Sequence, residues 1–337
     1  MKIKGKGANL YTGIITVLSL LLAVSLVGNA LLAREQEDRR TVASADESQE
    51  EYIYLPVFKN DPIIVEQDIK GLEAFAKEMG VKVSVEAPQS YDVVETAKLL
   101  EKAIQKKPKG IMICATEENL IPYINEAAEA GIPVITVDSD LPESKRLAYI
   151  GSDWYQIGRK QAEALIKLIG GKGTVAVLGI IGNRNSDNAW AGFCSVMEEY
   201  EDILVLDMYD DVSNWEEAKR MTKEILKEYP QIKGIAGVDS NSAKGICEAL
   251  EEEKKIGQVK VVSVDMTSQH IELLKKGYVQ KLIGQKRELF TYYGGKLLYD
   301  YNHNQLQILN ENQNISITNI PQYIDTGIVE LEPEDVK

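Results

Sequence analysis

Residues 131–138 read Gly131-Ile132-Pro133-Val134-Ile135-Thr136-Val137-Asp138. A turn gives way to a short apolar run of strand type, and the run stops on an aspartate. The same order recurs where Val259 to Val264 is followed by Asp265. Outward from these two points, from Tyr52 onward, short apolar runs alternate with longer stretches of helical period, the signature of βαβ units built on parallel sheets. A first series places strands at Tyr52–Phe58, Val81–Glu86, Gly110–Cys114 and Pro133–Val137. Helices fit between them: Asp61–Met79, with Ile64, Ile69, Leu72 and Phe75 on one face and Gly80 as its stop, and Val93–Ile104. After a short strand at Leu147–Ile150 a second series repeats the pattern, with strands at Thr174–Leu178, Ile203–Met208, Gly234–Val238, Val259–Val264 and Val279–Ile283. Ser213 with Glu216 reads as a capping box opening the helix Trp215–Glu228. Further helices are expected at Asp187–Glu199, Gly237–Leu250 and Phe290–Tyr301, a polar loop at Asn302–Asn314, and strands at Ile315–Thr318 and Thr326–Val329. The fold class is α/β: two doubly wound parallel-sheet lobes.

The chain has 337 residues, which fits two domains of about 150 each. Its 38 basic and 52 acidic residues give a formal charge of -14, and such a field repels phosphate backbones and anionic lipid. Small solutes and proteins remain as partners, and nucleic acid does not. Cys114, Cys194 and Cys247 are an odd number, far apart and each in an apolar stretch, so they read as packing residues. Only His270 and His303 occur as histidines, with no metal-ligand spacing. No metal and no cofactor is expected.

Lys2, Lys4 and Lys6 precede the run Gly13 to Ala33, whose 21 residues suffice to cross a bilayer as a helix. Positive charge ahead of that run places the N-terminus in the cytoplasm and everything after Ala33 outside. Residues 1–33 are an uncleaved signal-anchor, a single pass through a bacterial cell membrane, or alternatively an export signal cut near the Gly28-x-Ala30 pair, leaving a secreted or periplasmic protein. No cysteine follows that would carry a lipoprotein anchor. Residues 34–51 are polar and acidic, the composition of a tether.

In open sheets of this kind ligands sit beyond the carboxyl ends of the strands. The polar residues there are Asn60 and Asp61, Asp138 to Asp140, Asp239, Asp265 and Gln285. One aspartate after a strand is ordinarily the N-cap of the next helix. Recurrence in both halves points to a site.

Four segments resemble the type I periplasmic substrate-binding proteins, the ribose- and galactose-binding class whose fold the effector domains of lac-repressor-type regulators share. They are Asn60-Asp61-Pro62; residues 131–138; Tyr149-Ile150-Gly151-Ser152-Asp153 with Tyr155 and Gly158; and Val264-Asp265 followed by Gly284-Gln285. The resemblance implies an N-terminal lobe of residues 52–152 plus 286–324 and a C-terminal lobe of 153–285 plus 325–337. Three crossings near Gly151–Trp154, Gln285 and Asp325–Thr326 would form a three-strand hinge. Carried over position by position, the pocket would hold Asp61, Ile63, Ile64, Asp138, Ser139, Asp187, Asp239, Asp265 and Gln285. Carboxylates and amides suit sugars because they accept from, and donate to, adjacent hydroxyls.

Departures from that family matter for the ligand. Ile63 and Ile64 stand where such sugar binders carry aromatic rings, and Ser139 and Asp187 where they carry arginine. Several carboxylates in a partly desolvated cleft call for a positive charge, from Arg184 or from a cationic solute. Trp190 and Trp215 are possible stacking rings, although both sit at helical positions that read more simply as packing. No phosphate loop, dinucleotide fingerprint or nucleophile elbow of proper spacing occurs, so no reaction is expected. A DNA-binding regulator would need a helix-turn-helix before residue 52, and that stretch is an apolar run and an acidic tether. Two readings remain: a solute receptor delivering a sugar or polyol to an ABC permease, or a membrane-tethered sensor reporting occupancy to a histidine kinase or chemoreceptor.

Overall fold

A computed structural model describes residues 49–303 and 320–337. The apolar run Gly13–Ala33, the tether as far as residue 48 and the strand expected at Ile315–Thr318 lie outside those residues. Among the described residues no helix is long and apolar enough to cross a membrane.

Five strands open the chain: β1 (Glu51–Leu55), β2 (Lys82–Val85), β3 (Gly110–Ile113), β4 (Val134–Val137) and β5 (Ala148–Gly151). Five more follow, β6 (Gly173–Gly179), β7 (Ile203–Asp210), β8 (Gly234–Gly237), β9 (Lys260–Val264) and β10 (Lys281–Gln285), and then β11 (Tyr323–Asp325) and β12 (Ile328–Leu331). They form two six-stranded sheets, ordered β11-β5-β4-β3-β1-β2 and β12-β10-β9-β8-β6-β7. The first is parallel throughout. The second is parallel except for β12, which runs against β10 with Leu282 opposite Leu331. Strand order reverses between β1 and β3 in one sheet and between β6 and β8 in the other, so the chain leaves a crevice at the carboxyl ends of each.

The helices are α1 (Ile69–Met79), α2 (Val93–Gln105), α3 (Ile121–Glu129), α4 (Trp154–Ile169), α5 (Arg184–Met197), α6 (Trp215–Glu228), α7 (Ser242–Glu252), α8 (Ser268–Lys275) and α9 (Arg287–Asn302). Each strand expected in the described residues is present within a few residues of its expected ends. β11 was not anticipated, because three residues pairing Tyr323 with Tyr149 carry too short a pattern to read. The helix from Asp61 is real but opens as a π-helical turn, Ile64–Asp68, before α1. Ser213 is not a cap. It has φ 54°, and Asn214 caps α6 instead, its side chain accepting from the Glu216 and Glu217 amides. Cys114 and Cys247 are buried and Cys194 is half-buried, all as free thiols.

Each sheet buries its own core. In the first, Ile53, Leu55, Ile111 and Ile113 pack beneath Leu100 and Ile124. In the second, Val175, Val177 and Val262 pack beneath Ile157, Leu165 and Phe193. The chain leaves the first sheet after Gly151 to begin α4 over the second, and it leaves the second after Gln285 to begin α9, which packs along α1 over the first. Two close approaches need glycine. A Cβ on Gly71 of α1 would lie 2.1 Å from the Glu288 carbonyl oxygen of α9, and a Cβ on Gly158 of α4 would lie 1.8 Å from the Ala189 carbonyl oxygen of α5.

Gly158→Ala therefore forces α4 and α5 apart, and overpacking of this kind costs about 1–3 kcal/mol. Urea unfolding checks it: the midpoint falls while the slope with denaturant is unchanged.

Candidate ligand-binding cleft

The carboxyl ends of the two sheets face each other across a narrow cavity of about 60 Å³. Ligand pockets run to about 300–1,000 Å³, so the lobes are drawn together. From the first lobe the lining takes Phe58, Asp61, Ile63, Ile64, Tyr91, Thr116 and Asp138. From the second it takes Asn183, Asn185, Ser186, Ser213, Asp239, Ser240 and Asp265. Trp154, Gln285 and Arg287, at the crossings, join them, and Val57, Ile180 and Val238 add apolar surface.

Local chemistry explains why these residues point inward. Asp61 accepts from the Ile63 amide at 3.1 Å and so caps the helical start that follows Pro62. Asp138 and Asp265 end β4 and β9 in the left-handed region, φ 65° and 70°, and Asn60 shares it at 69°. Asp and Asn tolerate that region better than other non-glycine residues. The turn re-aims the chain just past each strand, where the cavity begins.

One cation organises the floor. Arg287 is buried, its Nε and Nη2 each donating at 2.9 Å to a different oxygen of Asp68, and its Nη1 lies 2.9 Å from Asp138 Oδ1. Tyr54 donates its hydroxyl to Asp68, and Thr291 donates to the Asp68 carbonyl at 2.7 Å. Burial pushes the Asp68 and Asp138 carboxyls up, and Arg287 pulls both back down. Those two carboxylates in turn hold the guanidinium charged. Trp154 donates its indole N–H to the Asp138 carbonyl at 3.2 Å, tying the start of α4 to the end of β4.

The remaining carboxylates have only neutral donors. Asp239 accepts from Ser213 Oγ at 3.1 Å and from the Asn241 amide at 2.9 Å. Asp265 accepts from Ser240 Oγ. Burial, and then repulsion from Asp239, pushes Asp61 up to about 7; burial, with Asp265 adding, pushes Asp239 up to about 6. Asp265 Oδ1 and both amide atoms of Gln285 are buried without a hydrogen-bond partner, in residues only 3% and 1% exposed.

Direct bonds across the cleft hold the lobes together. Glu66 accepts from the Ser268 amide at 2.7 Å and its hydroxyl at 2.9 Å, and Gln67 donates to the Met266 carbonyl at 3.4 Å. On another part of the rim Arg184 bridges Glu118 at 3.3 Å and Glu143 at 2.8 Å.

Of the residues named from sequence, Asp61, Ile63, Ile64, Asp138, Asp239, Asp265 and Gln285 come together around the cavity. Three do not. Ser139 is fully buried next to the left-handed Asp138 and is not part of the cavity lining. Arg184 and Asp187 lie in a separate recess of about 430 Å³ on the rim with Glu117 and Glu118, and Arg184 is paired with Glu118 and Glu143. Trp190 stacks on Phe193, and Trp215 lies under Lys244, both outside the cavity. The rings that do line it are Phe58, Tyr91 and Trp154. Sequence reasoning missed Arg287 and Asp68. Arg287 stands two residues past Gln285, within reach of the same strand-end rule. Asp68 is a charge on the apolar stripe Ile64, Leu72, Phe75, which is itself a signal.

With this geometry the comparisons with known proteins fall into place. A periplasmic binding protein domain family matches residues 52–305, and the chain belongs to that family. The D-allose-binding periplasmic protein of Escherichia coli (strain K12) is 26% identical over 244 residues, 68% of this chain and 78% of that protein. The structure of AraP, an arabinose binding protein from Geobacillus stearothermophilus, is 28% identical with a TM-score of 0.73, covering 86% of this chain and 98% of its own. XylFII in a XylFII-LytSN complex shares the fold at 24% identity and a TM-score of 0.76, covering 86% and 99%.

Two outcomes follow for stability. Arg287→Met strands two buried carboxylates and costs about 3–5 kcal/mol in chemical denaturation. Asp61 and Asp239 favour the folded state on the acid side. Above the ordinary aspartate value of 3.8 the unfolded chain sheds its proton, whereas folded Asp61 keeps it to about 7 and Asp239 to about 6. At these two groups the folded state binds more protons in that window, so the stability they contribute is lost as pH rises from about 4 to 7, while buried His270, pushed down from 6.5, acts in the opposite sense. Thermal unfolding across that range checks it: Asp61→Asn gains stability relative to the parent protein as pH rises.

Proposed function

We propose that the protein captures a sugar or related polyol in this cleft and presents it to an ABC importer. The observation that carries the reading is the set of buried, unpartnered polar atoms on Asp265 and Gln285 beside a fixed guanidinium. Two buried acceptors and a buried donor without protein partners are costly unless a ligand completes them, and vicinal hydroxyls do so. Phe58, Tyr91 and Trp154 supply apolar faces for a sugar ring. The ligand contacts are Asp61, Ile63, Ile64, Asp138, Asp239, Asp265 and Gln285, with Arg287 and Trp154 added. The allose- and arabinose-binding activities named for its relatives support the same class.

The lobes comprise residues 52–152 plus 286–325 and residues 153–285 plus 326–337, one residue later than the expected third crossing because Asp325 pairs with Gly151 in the first sheet, and closure is driven by contacts to both, since a ligand shifts the open-closed equilibrium only by its differential affinity. The apolar run Gly13–Ala33 tethers the binding domain outside the cytoplasm, which raises its effective concentration at a membrane partner. That tether, and the XylFII-LytSN assembly of a protein with this fold, favour a second reading in which occupancy is reported to a membrane sensor.

A thermal-shift screen of the purified protein against pentoses, hexoses and cyclitols tests the first reading, because a ligand at 100 times its Kd stabilises by about 2.7 kcal/mol. A hit is expected that disappears in Asp265→Ala and Gln285→Ala variants that still fold. Uptake of the labelled ligand by cells lacking the protein separates the two readings. Loss of uptake supports delivery, and intact uptake with loss of ligand-induced transcription supports sensing.

A further inference from the structure

The charge in the cleft does not balance. Asp61, Asp138, Asp239 and Asp265 line the cavity with Asp68 directly behind, and Arg287 is the one cation among the lining residues. That guanidinium is already committed, through two arms to Asp68 and a third to Asp138. Arg184 is held on the rim by Glu118 and Glu143. Asp61, Asp239 and Asp265 line the same cavity, and the hydrogen bonds they accept come from amides and hydroxyls, with Arg287 reaching Asp61 only through space. Asp61 belongs to one lobe and Asp239 to the other, so closure brings like charges together. Acidic residues alone would not define a ligand. Here Asp265 Oδ1 and the Gln285 amide, buried and unpartnered in the same cavity, mark where one is bound.

Resting on the reading of this cleft as a sugar site, we propose that the ligand is an amine-bearing sugar or cyclitol whose ammonium lies between Asp61 and Asp239 while its hydroxyls engage Asp265 and Gln285. A neutral sugar leaves the excess negative charge in place and must rely on the acids taking up protons. An ammonium converts the repulsion between the lobes into attraction to a shared cation, an interaction that exists only in the closed form. Among the described residues no group of three or more His, Cys, Asp or Glu side chains is set to hold a metal ion. The upward shifts of Asp61 and Asp239 agree with a site lacking its counter-charge.

The test is calorimetric titration of the full chain at pH 7 with glucosamine, galactosamine, mannosamine and an aminocyclitol, each against its neutral parent and its N-acetyl form. At least one amine is expected to bind tenfold or more tightly than both counterparts, with that preference lost in Asp61→Asn and Asp239→Asn. The unmodified protein gives an independent readout. Asp61 faces Asp239, Asp265 and Arg287; Asp239 faces Asp265 with Asp211 behind it, and His270 lies near Asp265. Protons on Asp61 and Asp239 compete with the ammonium, so affinity for the amine rises from pH 5.5 to 7.5. Equal or tighter binding of the neutral parent, with affinity falling over that range, overturns the amine and leaves the sugar site standing. Binding of putrescine or spermidine but no sugar overturns both, as does a flat titration with every compound.

Discussion

Arg287 is the point on which the site depends. It is the first residue of α9, the helix that carries the chain back from the second sheet to the first, and its side chain grips Asp68 ahead of α1 and Asp138 at the end of β4. One guanidinium therefore fixes a crossing between lobes, the start of the first helix and the floor of the cavity. Burying an ion triad brings little net stability, because desolvation offsets most of the attraction. What it supplies is position: a planar fork accepts only one arrangement of two carboxylates.

Around that floor the fold does what doubly wound sheets do. Strands end in a common plane in each lobe, and the loops beyond them carry the polar groups. Asp138 and Asp265 end equivalent strands in the same left-handed turn, one per lobe, so the cleft is lined from both sides by the same device. Closing it brings Glu66 onto the amide and hydroxyl of Ser268 at the first turn of α8, where a negative charge also meets the positive end of the helix. Arg184 makes its bridge to Glu118 and Glu143 elsewhere on the rim, so the closed state is held at more than one place. These bonds are exposed and individually weak, which suits a joint that must reopen.

Much of this was legible in the residues themselves. The apolar runs gave the strands, and Asp61, Asp138, Asp239, Asp265 and Gln285 followed from their places at strand ends. The failures share a cause. Ser139 and Asp187 were placed by correspondence with a family, but Ser139 follows the left-handed Asp138, whose φ no apolar pattern reveals, and Asp187 lies in the first turn of α5 on the rim. Arg184 was assigned to the cleft because it is near in sequence, and it instead met glutamates from two loops of the other lobe. Ser213 has the composition of a cap but sits in the left-handed region, leaving the work to Asn214.

The sequence by itself determined the alternation of strand and helix, the doubling into two lobes and the collection of carboxylates at strand ends, because each is written in spacings of a few residues. The tertiary structure alone decided which charges meet. Asp68 and Arg287 are 219 residues apart, and nothing local in either segment names the other. Only the packing of α9 along α1 brings them within 2.9 Å, and with Arg287 committed to Asp68 and Asp138 the carboxylates of Asp61, Asp239 and Asp265 accept only from neutral donors. Periodicity is local, and pairing of buried charge is a property of the assembled core.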